Sequence, residues 1–108
     1  MLSEYLNEGK LVPDKDVVNT IADGIRVLKI GKHCYPILKR TCSDKIITVN
    51  DEEIRQALKL IWTRTKQRVE PSAAVPLAGL LKVSPADLGL KNVVLILCGG
   101  NVDLDFIP

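Results

Sequence analysis

The 108-residue sequence lacks a long apolar run, since none of its segments approaches the roughly 20 consecutive apolar residues that a bilayer span requires. Its first ten residues contain the acids Glu4 and Glu8 and have no apolar core, which is not the pattern of a signal peptide. These absences predict a cytoplasmic location and no membrane partner.

The sequence also lacks a basic stripe and a set of paired cysteines. Its 15 Lys and Arg residues are scattered among 13 Asp and Glu residues, whereas a nucleic-acid-binding face needs clustered basic residues. The three cysteines Cys34, Cys42 and Cys98 are an odd number without a Cys-x-x-Cys pair, which argues against a disulfide framework and a closed zinc site. We therefore expect no nucleic-acid partner, no metal site and a reducing compartment.

What the sequence contains is the composition of a globular protein, with 46% hydrophobic and 26% charged residues. We interpret residues 1–108 as a single segment that amounts to at most one small domain. A chain of this length can bury a modest core.

Several segments have the pattern of helices. Residues 1–12 are typical of a short amphipathic helix, and residues 34–42 predict a second one. The strongest prediction begins at Asn50, which heads a capping box with Glu53, and ends at Pro71, which suits the first turn of the next helix. One face of the long helix is predicted to be buried, and its residues are Ile54, Ala57, Leu58, Ile61, Trp62, Thr65 and Val69.

Two further segments predict β-strands. Residues 45–49 are rich in β-branched side chains, and residues 93–97 form a continuous apolar run that is typical of a strand covered on both faces. This order of helices and strands indicates an α/β fold. Because the chain supplies at most one or two partners for a buried strand, we expect its sheet to be incomplete.

A glycine loop follows the second predicted strand. Ligands of open α/β sheets bind beyond the carboxyl ends of the strands, and Cys98, Gly99 and Gly100 occupy such a position. Two adjacent glycines let backbone N–H groups approach an anion or a flat ring. The alternative interpretation is an ordinary tight turn.

Three motifs resemble those of the pyridoxal-phosphate-dependent serine racemases and serine/threonine dehydratases, which have fold type II. They are Thr-Ile-Ala-Asp-Gly at residues 20–24, Val-Glu-Pro-Ser-Ala-Ala at residues 69–74 and Leu-Cys-Gly-Gly-Asn-Val-Asp-Leu at residues 97–104. The resemblance covers about residues 2–104. It implies the C-terminal part of the cofactor-binding large domain, with helices packed on a few parallel or mixed strands.

The resemblance also implies roles for single residues. Cys98 stands where the family has a Ser or Cys in contact with the pyridine nitrogen of the cofactor, and Gly99 follows it in the same motif. Gly24 matches a glycine that lets the backbone pass close to the ring, and Glu70 matches a glutamate near the ring. The alternatives are a small buried hydrophobe for Cys98, a turn glycine for Gly24, and a helix cap or solvent-facing acid for Glu70.

A second set of implied features concerns regulation. Asn101 and Lys66 match positions that contact an activating nucleotide at the subunit interface in some animal serine racemases, although Lys66 could equally be a solvated helix residue. The complete enzyme would then be a homodimer that uses pyridoxal 5'-phosphate as its cofactor and is able to bind ATP and Mg²⁺ or Ca²⁺.

Some family features do not match this sequence. None of its ten lysines has the Ser-Phe-Lys context of the lysine that binds the cofactor covalently, and the four-glycine phosphate loop and the acidic metal motif are missing. Pro76 also stands where the family usually has a small or aliphatic residue. We therefore expect a chain that is inactive alone as part of a serine racemase or serine/threonine dehydratase. The alternative is a non-catalytic module that pairs with full-length subunits.

Overall fold

The structure is a computed structural model that describes residues 19–27, 30–42 and 45–108. The predicted helix at residues 1–12 lies outside the described residues. The chain divides into two compact units, of which one consists of Thr20–Ile25 and Thr48–Pro108 and the other contains residues 30–42.

Three α-helices are present in the described ranges. Helix α1 is Cys34–Thr41, helix α2 is Asp51–Leu60, and helix α3 is Pro71–Lys82. A 3-10 turn at Asp23–Ile25 precedes them. Helix α1 confirms the prediction for residues 34–42. None of the described helices is both long enough and apolar enough to cross a bilayer.

Helix α2 begins where the capping box predicted. The Glu53 N–H donates to Asn50 Oδ1 at 2.9 Å, and the Asn50 N–H donates back to Glu53 Oε2 at 2.7 Å. The Lys82 ammonium, at the end of α3, lies 3.0 Å from Glu53 Oε1. These contacts lower the pKa of Glu53, first through the Asn50 N–H and then through Lys82. They join the start of α2 to the end of α3.

Helix α2 ends earlier than predicted, because it passes at residue 61 into a π-helical turn, Ile61–Thr65. The hydroxyls of Thr63 and Thr65 donate to the carbonyls of Lys59 and Ile61, both at 2.7 Å, and such bonds compete with the regular helical ladder. Lys66 then takes a left-handed conformation with φ 59°, which ends the helical path.

The core lies between α2 and α3. Ala57, Leu58, Ala73 and Ala74 are fully buried, and the small alanines of α3 let the two helices approach closely. The predicted buried face is confirmed at Ile54, Ala57, Leu58, Ile61 and Val69, whereas Trp62 is half-buried and Thr65 is exposed. Pro76 lies on the exposed side of α3, which continues past it to Lys82.

The two predicted strands are not formed. Residues 45–49 and 92–100 have no regular secondary structure, and within the latter Val94 is 87% and Ile96 is 71% exposed. The prediction of a strand covered on both faces is therefore wrong for this chain. A strand requires neighbouring strands to accept its backbone hydrogen bonds, and no strand is present in the described ranges.

Candidate functional site

Glu70 links the start of α3 to the glycine loop. It is the residue before the first turn of α3, where its carbonyl accepts the Ala73 N–H at 3.0 Å. Pro71 follows in the first helical turn, where its missing N–H is not needed. The Glu70 side chain does not cap the helix, so the helix-cap alternative is wrong for its carboxylate.

Instead, both the backbone and the side chain of Glu70 bind the loop. The Glu70 N–H donates to the Gly99 carbonyl at 3.1 Å, and the Asn101 N–H donates to Glu70 Oε2 at 3.0 Å. The bond from Asn101 has an ionised acceptor, which makes it stronger than a bond between neutral groups. The loop is therefore held on both sides of Gly100.

Two features favour glycine at position 99. Its φ is +82°, a conformation that residues with a side chain rarely adopt. A Cβ atom at this position would also lie 2.6 Å from each carboxylate oxygen of Glu70, closer than real contacts allow. The backbone thus approaches the Glu70 carboxylate directly.

Gly24, which precedes Glu70 in the chain, also lies against the Glu70 carboxylate. Its N–H donates to Ser72 Oγ at 2.9 Å, and a Cβ there would lie 2.7 Å from Glu70 Oε1. The segment is anchored farther back, where Asp51 accepts the Thr20 hydroxyl and the Ile21 N–H. Gly24, Glu70 and Gly99 therefore form one cluster, which we call the Glu70 cluster.

The other predicted site residues are Cys98, Asn101 and Lys66, and they differ in how they contact this cluster. Cys98 immediately precedes Gly99 and is an exposed free thiol, so it is not the buried hydrophobe that was its alternative. The Asn101 backbone is bonded to the cluster through Glu70. Lys66 donates to the Thr63 carbonyl at 2.6 Å, within its own turn, and among the described residues it shares no hydrogen bond with the cluster.

Sequence reasoning missed two residues that hold this arrangement. The sequence marks Ser72 only as a small helix residue, but its hydroxyl fixes Gly24. Arg68 was not singled out, although its guanidinium donates to the carbonyls of Asp103 and Leu104, beyond the glycine loop. The available signal for Ser72 was its position directly after the Glu-Pro pair, whereas nothing local pointed to the partners of Arg68.

The cluster brings backbone without side chains, a carboxylate and a thiol close together. Gly24 and Gly99 present backbone without side chains around one carboxylate, and an exposed thiol stands next to them at Cys98. Among the described residues, no group of three His, Cys, Asp or Glu side chains could hold a metal ion. The expected role of these residues on the pyridine-nitrogen side of a pyridoxal phosphate pocket stays a prediction.

Comparison with known protein families gives a match over most of the chain. The model of the family described as pyridoxal-phosphate dependent enzyme matches residues 1–99.

Individual relatives agree with this match. Serine racemase from Dictyostelium discoideum is 46% identical over 90 residues, which are 82% of this chain and 27% of the relative. L-threonine ammonia-lyase from Geobacter sulfurreducens is 43% identical over 102 residues, which cover 94% of this chain and 25% of the relative. The crystal structure of a threonine deaminase from T.th. superposes with a TM-score of 0.83 at 38% identity, covering 99% of this chain and 34% of that one.

These comparisons also bear on the fold class. The matching solved structures are fold-type-II pyridoxal-phosphate enzymes of the α/β class, whereas the described part of this chain contains helices and no strands. The chain spans about a quarter to a third of the length of the relatives that it matches.

Proposed function

This chain belongs to the pyridoxal-phosphate-dependent enzyme family, and from that premise we propose that it forms the pyridine-nitrogen side of the cofactor pocket in an enzyme acting on serine or threonine. The complete enzyme is a serine racemase or an L-serine or L-threonine dehydratase. The chain by itself is inactive, since no lysine in it has the Ser-Phe-Lys context.

The observation that carries this proposal is the convergence of Gly24 and Gly99 on the Glu70 carboxylate. Hypothetical side chains at these two glycines would lie 2.7 Å and 2.6 Å from its oxygens. The backbone and the carboxylate of Glu70 are hydrogen-bonded to the loop that carries the exposed thiol of Cys98. The same residues were expected from the family resemblance to surround the cofactor ring.

Each residue of the pocket has a distinct task in this proposal. Cys98 faces the pyridine nitrogen through its thiol. Gly24 and Gly99 let their segments lie directly against the Glu70 carboxylate, and Glu70 holds both segments in place. When bound, the cofactor supplies an electron sink for the α-carbon of the amino acid substrate.

The family resemblance supports further proposals for the complete enzyme. We infer an amino-acid substrate of the serine or threonine type, a homodimeric cytoplasmic protein, and regulation by ATP with Mg²⁺ or Ca²⁺ in which Asn101 and Lys66 contact the nucleotide. The metal ligands would come from outside residues 1–108. Titration of the complete enzyme with ATP, comparing wild type with Lys66→Met, tests the nucleotide part separately.

A chimeric enzyme tests the main proposal. Residues 1–108 replace the matching segment of the Dictyostelium serine racemase, and cofactor absorbance and conversion of L-serine are measured. We expect a chimera that binds the cofactor and turns over serine. The matched variants are Cys98→Leu and Cys34→Leu, because both cysteines are exposed. Only Cys98→Leu is expected to change the cofactor spectrum and lower turnover.

Two results would contradict the proposal. One is a chimera that elutes as a folded protein and yet binds no cofactor. The other is an identical spectrum and turnover for the Cys98→Leu and Cys34→Leu chimeras, since Cys98 would then have no contact with the ring.

A second candidate is a non-catalytic module that pairs with full-length subunits of the same family. The observation in its favour is the exposure of the apolar residues 93–97, of which Val94 and Ile96 are 87% and 71% exposed. Exposed apolar patches mark interaction surfaces. Co-expression with a full-length relative, followed by size-exclusion chromatography of wild type and a Val94→Lys, Ile96→Lys variant, tests it. Loss of a mixed complex in the variant supports pairing, and absence of any mixed complex with wild type rejects it.

A further inference from the structure

Arg68 and Glu70, in the segment between the π-helical turn and α3, contact the two ends of residues 98–104, a stretch that comprises the glycine loop and its continuation and that is called the loop below. We propose that Arg68 is a positioning residue that clamps the far end of this loop, so that the loop presents Cys98 and Gly99 in one fixed geometry. The inference rests on the proposed function insofar as the loop faces the cofactor.

The near end of the loop is held by Glu70. Its N–H donates to the Gly99 carbonyl, and its carboxylate accepts the Asn101 N–H. The backbone of Arg68 also passes close to the loop, because a Cβ on Gly100 would lie 3.5 Å from the Arg68 carbonyl oxygen. Between these contacts the loop turns back on itself, with the Val102 N–H donating to the Gly100 carbonyl at 3.0 Å.

The far end is held by the Arg68 side chain. Its Nη2 donates to the Asp103 carbonyl at 3.0 Å and to the Leu104 carbonyl. The Asp103 carbonyl also accepts the Phe106 N–H at 3.1 Å, which makes residues 103–106 a turn. One guanidinium therefore satisfies two adjacent carbonyls at the point where the loop becomes a turn.

The guanidinium is itself held in place by an aromatic side chain. Arg68 lies over the Trp62 ring at 4.9 Å from its centroid, and the Trp62 indole N–H donates to the Val69 carbonyl at 2.9 Å. The Phe106 ring packs edge-on against Trp62, and Arg55 lies over Phe106 at 5.8 Å. A planar cation stacked on an indole loses less freedom on bonding than an exposed side chain in solvent does.

The consequence is a coupling between two distant hydrogen bonds. If only Glu70 held the loop, its far end would be free to swing and the Asn101 N–H would leave the carboxylate more often. The Arg68 clamp therefore protects the Asn101 N–H although Arg68 does not touch it. A residue that merely fixed residues 103–106 would not have this effect.

The test compares Arg68→Met with the matched control Arg64→Met in the 108-residue chain. Arg64 is an exposed arginine in the neighbouring π-helical turn. Amide hydrogen exchange is measured by NMR at Glu70 and Asn101, and the emission of Trp62, the only tryptophan, reports the loss of stacking. Should Arg68→Met fail to fold, Arg68→Gln serves in the same comparison.

We expect Arg68→Met to raise the exchange rate of the Asn101 N–H about fivefold to tenfold, the scale of losing one or two hydrogen bonds to a charged group at the surface. Arg64→Met should leave it unchanged. Faster exchange confined to residues 103–106, with Asn101 and Glu70 unaffected, would overturn the positioning role.

A second arm separates this inference from the proposed function. The chimeric enzyme described above is used for this arm, because residues 1–108 lack the phosphate loop. Pyridoxal 5'-phosphate is titrated into the chimera with and without Arg68→Met, and the cofactor absorbance is followed. Saturation at a higher concentration in Arg68→Met supports both claims. If neither chimera binds the cofactor but the exchange rates of the 108-residue chain differ as expected, the clamp stands and the cofactor assignment fails.

Discussion

The carboxylate of Glu70 occupies the space that a side chain on Gly99 would need. The two residues are joined by a hydrogen bond from the Glu70 N–H to the Gly99 carbonyl at 3.1 Å, and each carboxylate oxygen lies 2.6 Å from the position of a Cβ on Gly99. Glycine at position 99 thus allows the carboxylate of a residue 29 positions earlier in the chain to lie against the loop backbone. This contact brings the glycine loop against the start of α3.

Substitution of Gly99 by alanine tests this contact. The left-handed φ alone costs an alanine about 1 kcal/mol, and Gly99→Ala must in addition displace the Glu70 carboxylate. Gly89→Ala is the matched control, because Gly89 also has a positive φ of +70° but has no atom within 4 Å of its Cβ position. We expect Gly99→Ala to lower the free energy of unfolding by more than Gly89→Ala does, measured by urea denaturation. Equal losses of unfolding free energy in the two variants would mean that the Glu70 carboxylate moves aside without a measurable cost.

Substitution of Gly24 by alanine tests the other side of the Glu70 cluster. The new Cβ would lie 2.7 Å from Glu70 Oε1 and 2.9 Å from Ser72 Oγ, so we expect loss of the bond from the Gly24 N–H to Ser72. Gly100→Ala is the control, since its Cβ would make an ordinary contact of 3.5 Å. Thermal unfolding followed by Trp62 emission should show a lower midpoint for Gly24→Ala only. An unchanged midpoint would show that the segment at residues 20–24 shifts without cost.

Truncation in the core tests the packing that supports the site. Among the residues that the structure describes, Leu58 is the largest fully buried side chain, and Leu58→Ala should cost about 2–5 kcal/mol in the free energy of unfolding through lost burial and the cavity left behind. Leu81→Ala is the control, because Leu81 is 57% exposed. A cost for Leu58→Ala no greater than that for Leu81→Ala would contradict the described packing of α2 against α3.

Acid titration tests the contacts at the start of α2. The pKa of Glu53 lies below its ordinary value of 4.5 because its carboxylate accepts the Asn50 N–H and faces Lys82. A lowered folded-state pKa gives stability that is fully present above pH 4.5 and is lost as the pH falls through the folded value. We expect Glu53→Gln to flatten the decrease in unfolding free energy below pH 4.5.

Glu52→Gln provides the comparison for that titration. Glu52 lies in the same helical turn but accepts a hydrogen bond from Gln56 instead of closing the capping box. This variant should keep the acid sensitivity of the wild type. A Glu53→Gln profile that superposes on the wild-type profile would show that Glu53 does not cause the acid-dependent loss of unfolding free energy.

Local signals explain which parts of the fold were predicted from the sequence. The start of α2 depends on Asn50 and Glu53, three residues apart, and the start of α3 depends on Pro71, so both were found. The strand predictions at residues 45–49 and 93–97 failed, because a β-branched or apolar run forms a strand only with a partner, and the described residues contain none.

Part of the candidate site was also predicted from the sequence, and part was not. Gly24, Glu70 and Gly99 were singled out through the resemblance of whole motifs, and the structure brings these three residues together. Their contact with a cofactor stays a prediction. The bond from Gly24 to Ser72 and the contacts of Arg68 with residues 103 and 104 join distant parts of the chain, so no local spacing could reveal them.

The central claim is that Cys98 faces the cofactor ring, and the alkylation rate of this thiol tests it most directly. In the chimeric enzyme, a small thiol reagent is applied with and without bound pyridoxal phosphate, and the modification of Cys98, Cys34 and Cys42 is followed by mass spectrometry of their peptides. The account predicts that bound cofactor slows the alkylation of Cys98 while Cys34 and Cys42 react as before. Equal rates at Cys98 in the loaded and cofactor-free enzyme would contradict it.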